Sequence, residues 1–281
     1  MKIGLISDLH TDATEANRAI IPILIDAIKT ANLDVFVLAG DITPKLTDFY
    51  EILGEFAEAK LTCRKFFVPG NHDIWVNKEG NMTSAQKCRV ISEICRDHGF
   101  HPLNESPQII DSVGFCGTIG WYDYTYASDK YDFTQEQYAE KQLMGAVWSD
   151  KRYVIWSGTD PEVSQRFEEE LSQQISSIRS DVERIIVVTH HVPFRECIRY
   201  RNELPWDYFR AFYGSVGLGN ISLQEPLVSH VLFGHIHYPV NQQIDHVRAI
   251  CAPIGYFHEH PSEGLETFVQ NRLTCFTIAH D

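Results

Sequence analysis

The chain has 281 residues, 44% of them hydrophobic and 22% charged, enough to bury a full core in one large domain or two small ones. Its formal charge of −14 argues against a broad nucleic-acid-binding face, since phosphate backbones are held by clustered Lys and Arg. No apolar run approaches the ~20 residues of a membrane span. An amino terminus that runs straight into a strand and an acidic residue by Asp8 leaves no room for a signal peptide, so a cytoplasmic protein is expected.

Seven cysteines, odd in number and without a Cys-x-x-Cys pair, read as small buried hydrophobes in a reducing compartment.

The first apolar run, Ile3 to Ile6, reads as a strand and leads into Ser7-Asp8-Leu9-His10. Asp12 or Thr14 can cap a helix from about Glu15 to Ala31, with Ile20, Ile23, Leu24, Ala27 and Ile28 at helical spacing. A second strand, Asp34 to Ala39, ends in Gly40-Asp41. A second helix, Leu46 to Ala59, carries Phe49, Leu53 and Phe56 inward. The third strand, Phe66 to Val68, delivers Pro69-Gly70-Asn71-His72-Asp73 to its carboxyl end. A polar loop, Asn77 to Met82, precedes a helix from Ser84 to about Asp97.

This alternation predicts parallel strands with helices on the faces. The rhythm then changes. Gln108 to Ile110 and Val113 to Thr118 flank a hairpin turn at Asp111-Ser112. The stretch from Trp121 to Trp156 is crowded with aromatics. It reads either as a loop-rich subdomain packed on itself or as a cap over a cleft at about 121–160. Pro161 opens an amphipathic helix to about Arg179, and strands follow at Arg184 to Thr189, His230 to Phe233, Gln243 to Ala252 and Leu273 to Ile278. With no repeat or linker, a single domain over 1–281 is the simpler reading.

Five strand ends thus offer ligand-type side chains: Asp8, His10, Asp41, Asn71, His190, His235 and His237, enough for two metals. Glycines at 40, 70 and 234 let the backbone pass close to a bound ion. His72 can give or take a proton near neutrality, and Asp73 can hold its imidazole in one tautomer.

In order, Asp8-Leu9-His10, Gly40-Asp41, Gly70-Asn71-His72-Asp73, Thr189-His190 and Gly234-His235-Ile236-His237 match the pattern D-x-H, G-D, G-N-H-D/E, H, G-H-x-H. The chain therefore resembles a calcineurin-like metallophosphoesterase over residues 8 to 237. The resemblance implies an α/β fold, a four-layer α/β/β/α sandwich with two mixed sheets. It implies one metal on Asp8, His10, Asp41 and His237 and a second on Asp41, Asn71, His190 and His235, with Asp41 bridging. His72 would face the substrate, with Asp73 behind it. Two carboxylates around two divalent ions (Mn²⁺, with Fe²⁺ or Zn²⁺ as alternatives) leave a formal charge of about +2, suited to a phosphate ester. A hydroxide shared between the ions would attack phosphorus, and His72 would stabilise the transition state or protonate the departing oxygen.

Departures from the pattern narrow the expectation. Pro44 stands where the tyrosine of purple acid phosphatases would be, and the G-D-x-x-D-R-G block of protein phosphatases is missing its acid and arginine. A small or nucleotide-like diester is favoured over a phosphoprotein, with phosphomonoesters as the other substrate class. A nuclease, or a non-catalytic metal-binding scaffold, are the alternatives; overall acidity counts against the first and an intact His72 against the second. His191 is a candidate for a donor behind the ligands, for substrate contact, or for a ligand in place of His190. Arg195, Arg199, Arg201 and Arg210 form an unusual density of cations, which reads as a solvated face paired with the excess carboxylates or, alternatively, places Arg195 or Arg199 as a clamp on substrate. His258 and His260 read as loop or cleft-rim residues.

Overall fold

The computed structural model describes residues 1–76, 81–256 and 264–279. Thirteen strands occur among them. They are β1 (Lys2–Ile6), β2 (Val35–Leu38), β3 (Arg64–Phe67), β4 (Phe100–Pro102), β5 (Gln108–Ile110), β6 (Val113–Thr118), β7 (Gln142–Leu143), β8 (Ala146–Val147), β9 (Arg184–Thr189), β10 (Val228–Phe233), β11 (Val240–Ile244), β12 (Val247–Cys251) and β13 (Thr274–Thr277). Eight helices accompany them: α1 (Glu15–Ala31), α2 (Leu46–Glu58), α3 (Ser84–Asp97), α4 (Gln135–Ala139), α5 (Asp150–Tyr153), α6 (Asp160–Ile178), α7 (Val216–Gln224) and α8 (Leu265–Arg272).

Two mixed sheets result, one ordered β13-β1-β2-β3-β4 and the other β11-β12-β10-β9-β6-β5. β1 to β4 are parallel with β13 antiparallel at the edge, whereas β12, β10, β9 and β6 are parallel between antiparallel β11 and β5. The central strands are buried on both faces, and their residues sort by alternation. Ile3, Leu5, Val35, Val37, Phe115, Ile186, Val188 and Leu232 meet between the sheets. Phe36 and Leu38, one position out of phase, join Ile20, Leu24, Ile52 and Phe56 from α1 and α2. On the far side Ile185, Val187 and Val231 pack with Leu171 and Ile175 of α6. Helix, sheet, sheet and helix form the expected four layers.

Helix ends follow the sequence. Thr14 caps α1, while Thr83 and Thr159 close capping boxes with Gln86 and Glu162. One expectation needs correction. The stretch from Gln243 to Ala252 is not one strand: Asp245, at φ 52°, turns the chain so that β11 and β12 form a hairpin. Regular elements also occur where none is predicted: β4, only three residues long, carries no alternation by which it could be read, and α7 and α8 have no strong apolar stripe to announce them.

The aromatic stretch divides between two environments. Trp121, Tyr122, Tyr124 and Tyr138 are buried in the cluster that covers the first sheet, whereas Val147, Trp148 and Asp150 line a cleft. All seven cysteines are free thiols. No helix among the described residues is long and apolar enough to cross a membrane.

Candidate active site

Parallel strands of both sheets end at one place, and the loops leaving β1, β2, β3, β9 and β10 carry the candidate ligands. The backbone there is strained: Asp8, His10, Asp41 and His235 have φ of 55°, 44°, 59° and 70°. Main-chain bonds hold those conformations. Asp8 N–H donates to Gly40 O at 2.9 Å, His10 N–H to Asp41 O at 3.0 Å, and His235 N–H to the Asp8 carboxylate at 2.9 Å.

Gly70 is required by contact. A Cβ there would stand 2.1 Å from Asp41 Oδ1 and 2.7 Å from His190 Cε1. The glycine thus admits ligand side chains rather than an ion directly, and Gly40, at φ 84°, does the same for His190.

Three side-chain atoms converge while the other polar atom of each side chain is engaged outside the group. His190 Nδ1–H donates to Ala39 O at 2.9 Å, which leaves Nε2 with a lone pair. His235 Nε2–H donates to Phe212 O at 3.2 Å, which leaves Nδ1 with one. Asn71 Nδ2 donates to Asp150 at 3.0 Å, which turns its Oδ1 inward. Asn71 Oδ1 lies 3.1 Å from each of those nitrogens, and the nitrogens are 3.3 Å apart. Lone pairs packed this closely in a buried site call for a positive charge among them, a proton on His190 or a metal ion.

Asp41 joins this group to a second one. Its Oδ1 accepts the His72 N–H at 2.9 Å, and its Oδ2 lies 3.4 Å from His190 Nε2 and 3.7 Å from His10 Nε2. His10 Nε2 is in turn 3.0 Å from His237 Nε2, which lies 3.9 Å from Asp8 Oδ1. Asp8, His10 and His237 could therefore hold one ion and Asp41, His190 and His235 another, with Asn71 beside the latter and Asp41 Oδ2 facing both. All seven expected ligands are brought together.

The electrostatics match such a role. Burial is the largest effect on His10 and His235 and keeps both imidazoles well below their ordinary pKa, hence neutral. It also lowers His72. For His190 burial pulls down, but the charge and hydrogen bond of Asp41 raise it to about 9. Burial pushes Asp41 up, yet the neighbouring His190 and His72 hold its carboxyl well below the usual range. Asp8 rises to about 6, chiefly by burial. The pocket stabilises positive charge beside Asp41, whether carried by a proton or by a metal.

Three expectations about neighbouring residues are corrected. Asp73 does not sit behind His72. Its two oxygens accept the backbone N–H groups of Asp41 (2.8 Å), Ile42 (2.8 Å), Thr43 (3.1 Å) and Gly70 (2.8 Å), so it braces the loops instead of the imidazole. His72 instead stacks on Trp75 at 3.6 Å and meets the edge of His10 at 4.6 Å. His191 is fully buried, with Nδ1 3.2 Å from Ile119 O and its ring 4.5 Å from His235, so it backs a ligand and does not reach substrate. Arg195 is turned away: it binds Thr125 O, Ala127 O and Asp129. Arg199 does line the cleft, together with Arg201, Trp206 and Arg210. His258 and His260 lie outside the described residues.

Asp150 is the residue that sequence reasoning missed. Only 1% exposed, it accepts from Asn71 Nδ2 and Trp75 Nε1 with one oxygen and from Tyr122 Oη and Trp148 Nε1 with the other. The aromatic stretch thereby sets both the amide of Asn71 and the ring on which His72 rests.

The calcineurin-like phosphoesterase model matches residues 1–239. The chain belongs to that family. Its members depend on divalent metals and act on phosphoesters, so this calcineurin-like phosphoesterase is a hydrolase. Phosphopantetheinyl hydrolase from Mycobacterium tuberculosis shares the fold, with a TM-score of 0.73 and 18% identity over 93% of each chain. So does TT1561 of Thermus thermophilus, with a TM-score of 0.52 and 12% identity over 98% of this chain and 97% of that one. A dimetal phosphatase from Danio rerio has a TM-score of 0.50 and 15% identity over 89% and 86%. No curated protein matches the chain.

If Asp73 is a backbone brace, Asp73→Ala leaves four buried amides without acceptors, at roughly 1–3 kcal/mol each before relaxation. We expect a fall in denaturation midpoint large enough to be seen by circular dichroism in metal-free protein. A variant as stable as the parent would return Asp73 to a purely catalytic role.

Proposed function

We propose that the chain is a dinuclear metal-dependent phosphodiesterase of small substrates, with Mn²⁺ as the expected ion, acting in the cytoplasm. The observation that carries it is the convergence of Asn71 Oδ1, His190 Nε2 and His235 Nδ1 within 3.3 Å, next to an Asp41 oxygen that also faces His10. Asp8, His10, Asp41 and His237 would hold one ion, and Asp41, Asn71, His190 and His235 the other. Bound there, two divalent ions supply positive charge for phosphoryl oxygens and acidify water for attack on phosphorus.

The protein's own groups do the rest. Asp41 keeps one oxygen on the His72 amide and turns the other between the two ligand sets, fixing their separation. Asp150 prevents Asn71 from flipping, so that oxygen rather than nitrogen faces inward. His72, lowered by burial and held flat by Trp75, lies at the cleft where it can donate a hydrogen bond to a phosphoryl or leaving oxygen. A proton donor matters most for a poor alkoxide leaving group, so the arrangement suits alkyl phosphoesters. The architecture shared with the phosphopantetheinyl hydrolase makes a phosphopantetheinyl ester one substrate to include in a panel.

Asp41→Ala should lose metal, by elemental analysis, together with turnover. His72→Gln should keep its metal while kcat falls roughly 10²–10⁴-fold on a diester with an alkoxide leaving group and much less on bis-p-nitrophenyl phosphate. A manganese-loaded parent inactive on bis-p-nitrophenyl phosphate, p-nitrophenyl phosphate and the phosphopantetheinyl ester alike would count against hydrolysis at this site. Loss of metal from His72→Gln would make His72 a ligand.

For Asp150→Ala, calorimetric titration with Mn²⁺ should show affinity weakened by about 10–100-fold. Unchanged affinity would mean that Asn71 is oriented by something else.

A further inference from the structure

The cleft has a volume of ≈ 510 Å³, more than a single phosphoryl group requires and within the range of nucleotide-sized ligands. Part of its lining has no role in the chemistry above. Arg199 lies 4.0 Å over the Tyr238 ring, Arg201 3.3 Å over Trp206, and Arg210 4.0 Å from Trp206 and 4.4 Å from Tyr213. Aromatic faces hold the guanidinium planes while leaving their N–H edges available, the arrangement suited to bidentate capture of an anion.

None of the three forms an ion pair among the described residues, although the chain has 38 acidic against 24 basic residues. Arg195, close by in sequence, is paired with Asp129 at 2.9 Å. The contrast is sharpest at Arg210, which is only 3% exposed and whose Nε donates to Arg199 O at 3.1 Å. A buried cation with no carboxylate in hydrogen-bond contact is unfavourable unless a ligand anion completes it. The nearby carboxylate of Asp207 is engaged elsewhere, accepting the N–H groups of Arg201 (2.8 Å) and Asn202 (2.7 Å) and so shaping the loop. Because the rings are already covered by guanidinium groups, the wall is built for charge and not for stacking a base.

We infer that Arg201 and Arg210, with Arg199, form a second anion subsite, and that the natural substrate is a phosphoester carrying an additional phosphate or carboxylate beyond the bond that is broken. This rests on the phosphodiesterase reading only for the word substrate; the subsite is testable without metal. In EDTA, adenosine 3′,5′-bisphosphate should bind roughly 10–100-fold tighter than adenosine 5′-monophosphate, followed by tryptophan fluorescence and calorimetry. Arg210→Gln should abolish most of that preference. Since Arg210 is buried, the exposed Arg201→Gln provides a second variant expected to reduce it. Equal binding of the two nucleotides, or a preference that survives in both variants, overturns the subsite. Tighter binding of a thymidine octamer than of the bisphosphate overturns the small-ligand assignment.

With manganese, thymidine 5′-(p-nitrophenyl phosphate) with and without a 3′-phosphate should differ in KM in the same direction, and the two variants should bring the ratio towards one. If neither ester is hydrolysed while the metal-free preference persists, the hydrolase reading fails and the subsite stands. The reverse pattern removes the subsite and leaves the hydrolase.

Discussion

One buried carboxylate ties the chemistry to the fold. Asp73 accepts four backbone N–H groups, three from the loop after β2 and one from the loop after β3, so these two strand ends cannot shift independently. Asp41 and Asn71 ride on those loops, and the His72 amide closes the connection by donating to Asp41. Burial and the charge of Asp41 push Asp73 up to about 7, while the amides pull it back. The brace is therefore electrostatically costly, and a divalent cation beside Asp41 would relieve the like-charge repulsion between them.

The second constraint is that the site gathers acceptors rather than neutral pairs. In most buried polar clusters donors alternate with acceptors, because an unpaired group is expensive. Here the donor capacity of His190, His235 and Asn71 is directed outward, to Ala39 O, Phe212 O and Asp150, so that lone pairs face one another. Positive φ at Asp8, His10, Asp41 and His235 adds strain in the same place. Both are unfavourable in the protein alone, and the four-layer core on either side of the strands is what sustains them.

The sequence made the ligands legible for a physical reason. Each follows an apolar strand directly, so a local pattern locates it, and parallel strands carry such ends to a common edge. Asp73 was misread because adjacency to His72 suggested partnership, whereas in the tight turn over 71–74 the two side chains serve different loops. Asp150, Arg201 and Arg210 were not legible as partners of the site. They come from irregular segments whose approach depends on tertiary packing of Tyr122, Tyr138, Tyr208 and Phe212. The hairpin of β11 and β12 was hidden because a turn at Asp245 needs no glycine or proline to mark it.

A division of labour emerges from where each group is anchored. Among the ligands, His190 is oriented by the main-chain carbonyl of Ala39 at the end of β2 and so inherits the rigidity of the sheet, whereas His235 leans on Phe212 O. Groups that would contact the remainder of a substrate are oriented by aromatic rings of the irregular segments, as Arg201 and Arg210 are by Trp206. Asp150 joins the two systems, with Asn71 on one oxygen and Tyr122 and Trp148 on the other. The net charge of −14 therefore says little about the cleft, where Arg199, Arg201 and Arg210, without an ion pair among the described residues, line one wall, and where cations bound in the electronegative cage would make the local field positive. An anionic substrate approaching an acidic protein would be repelled by most of its surface and drawn to this one opening.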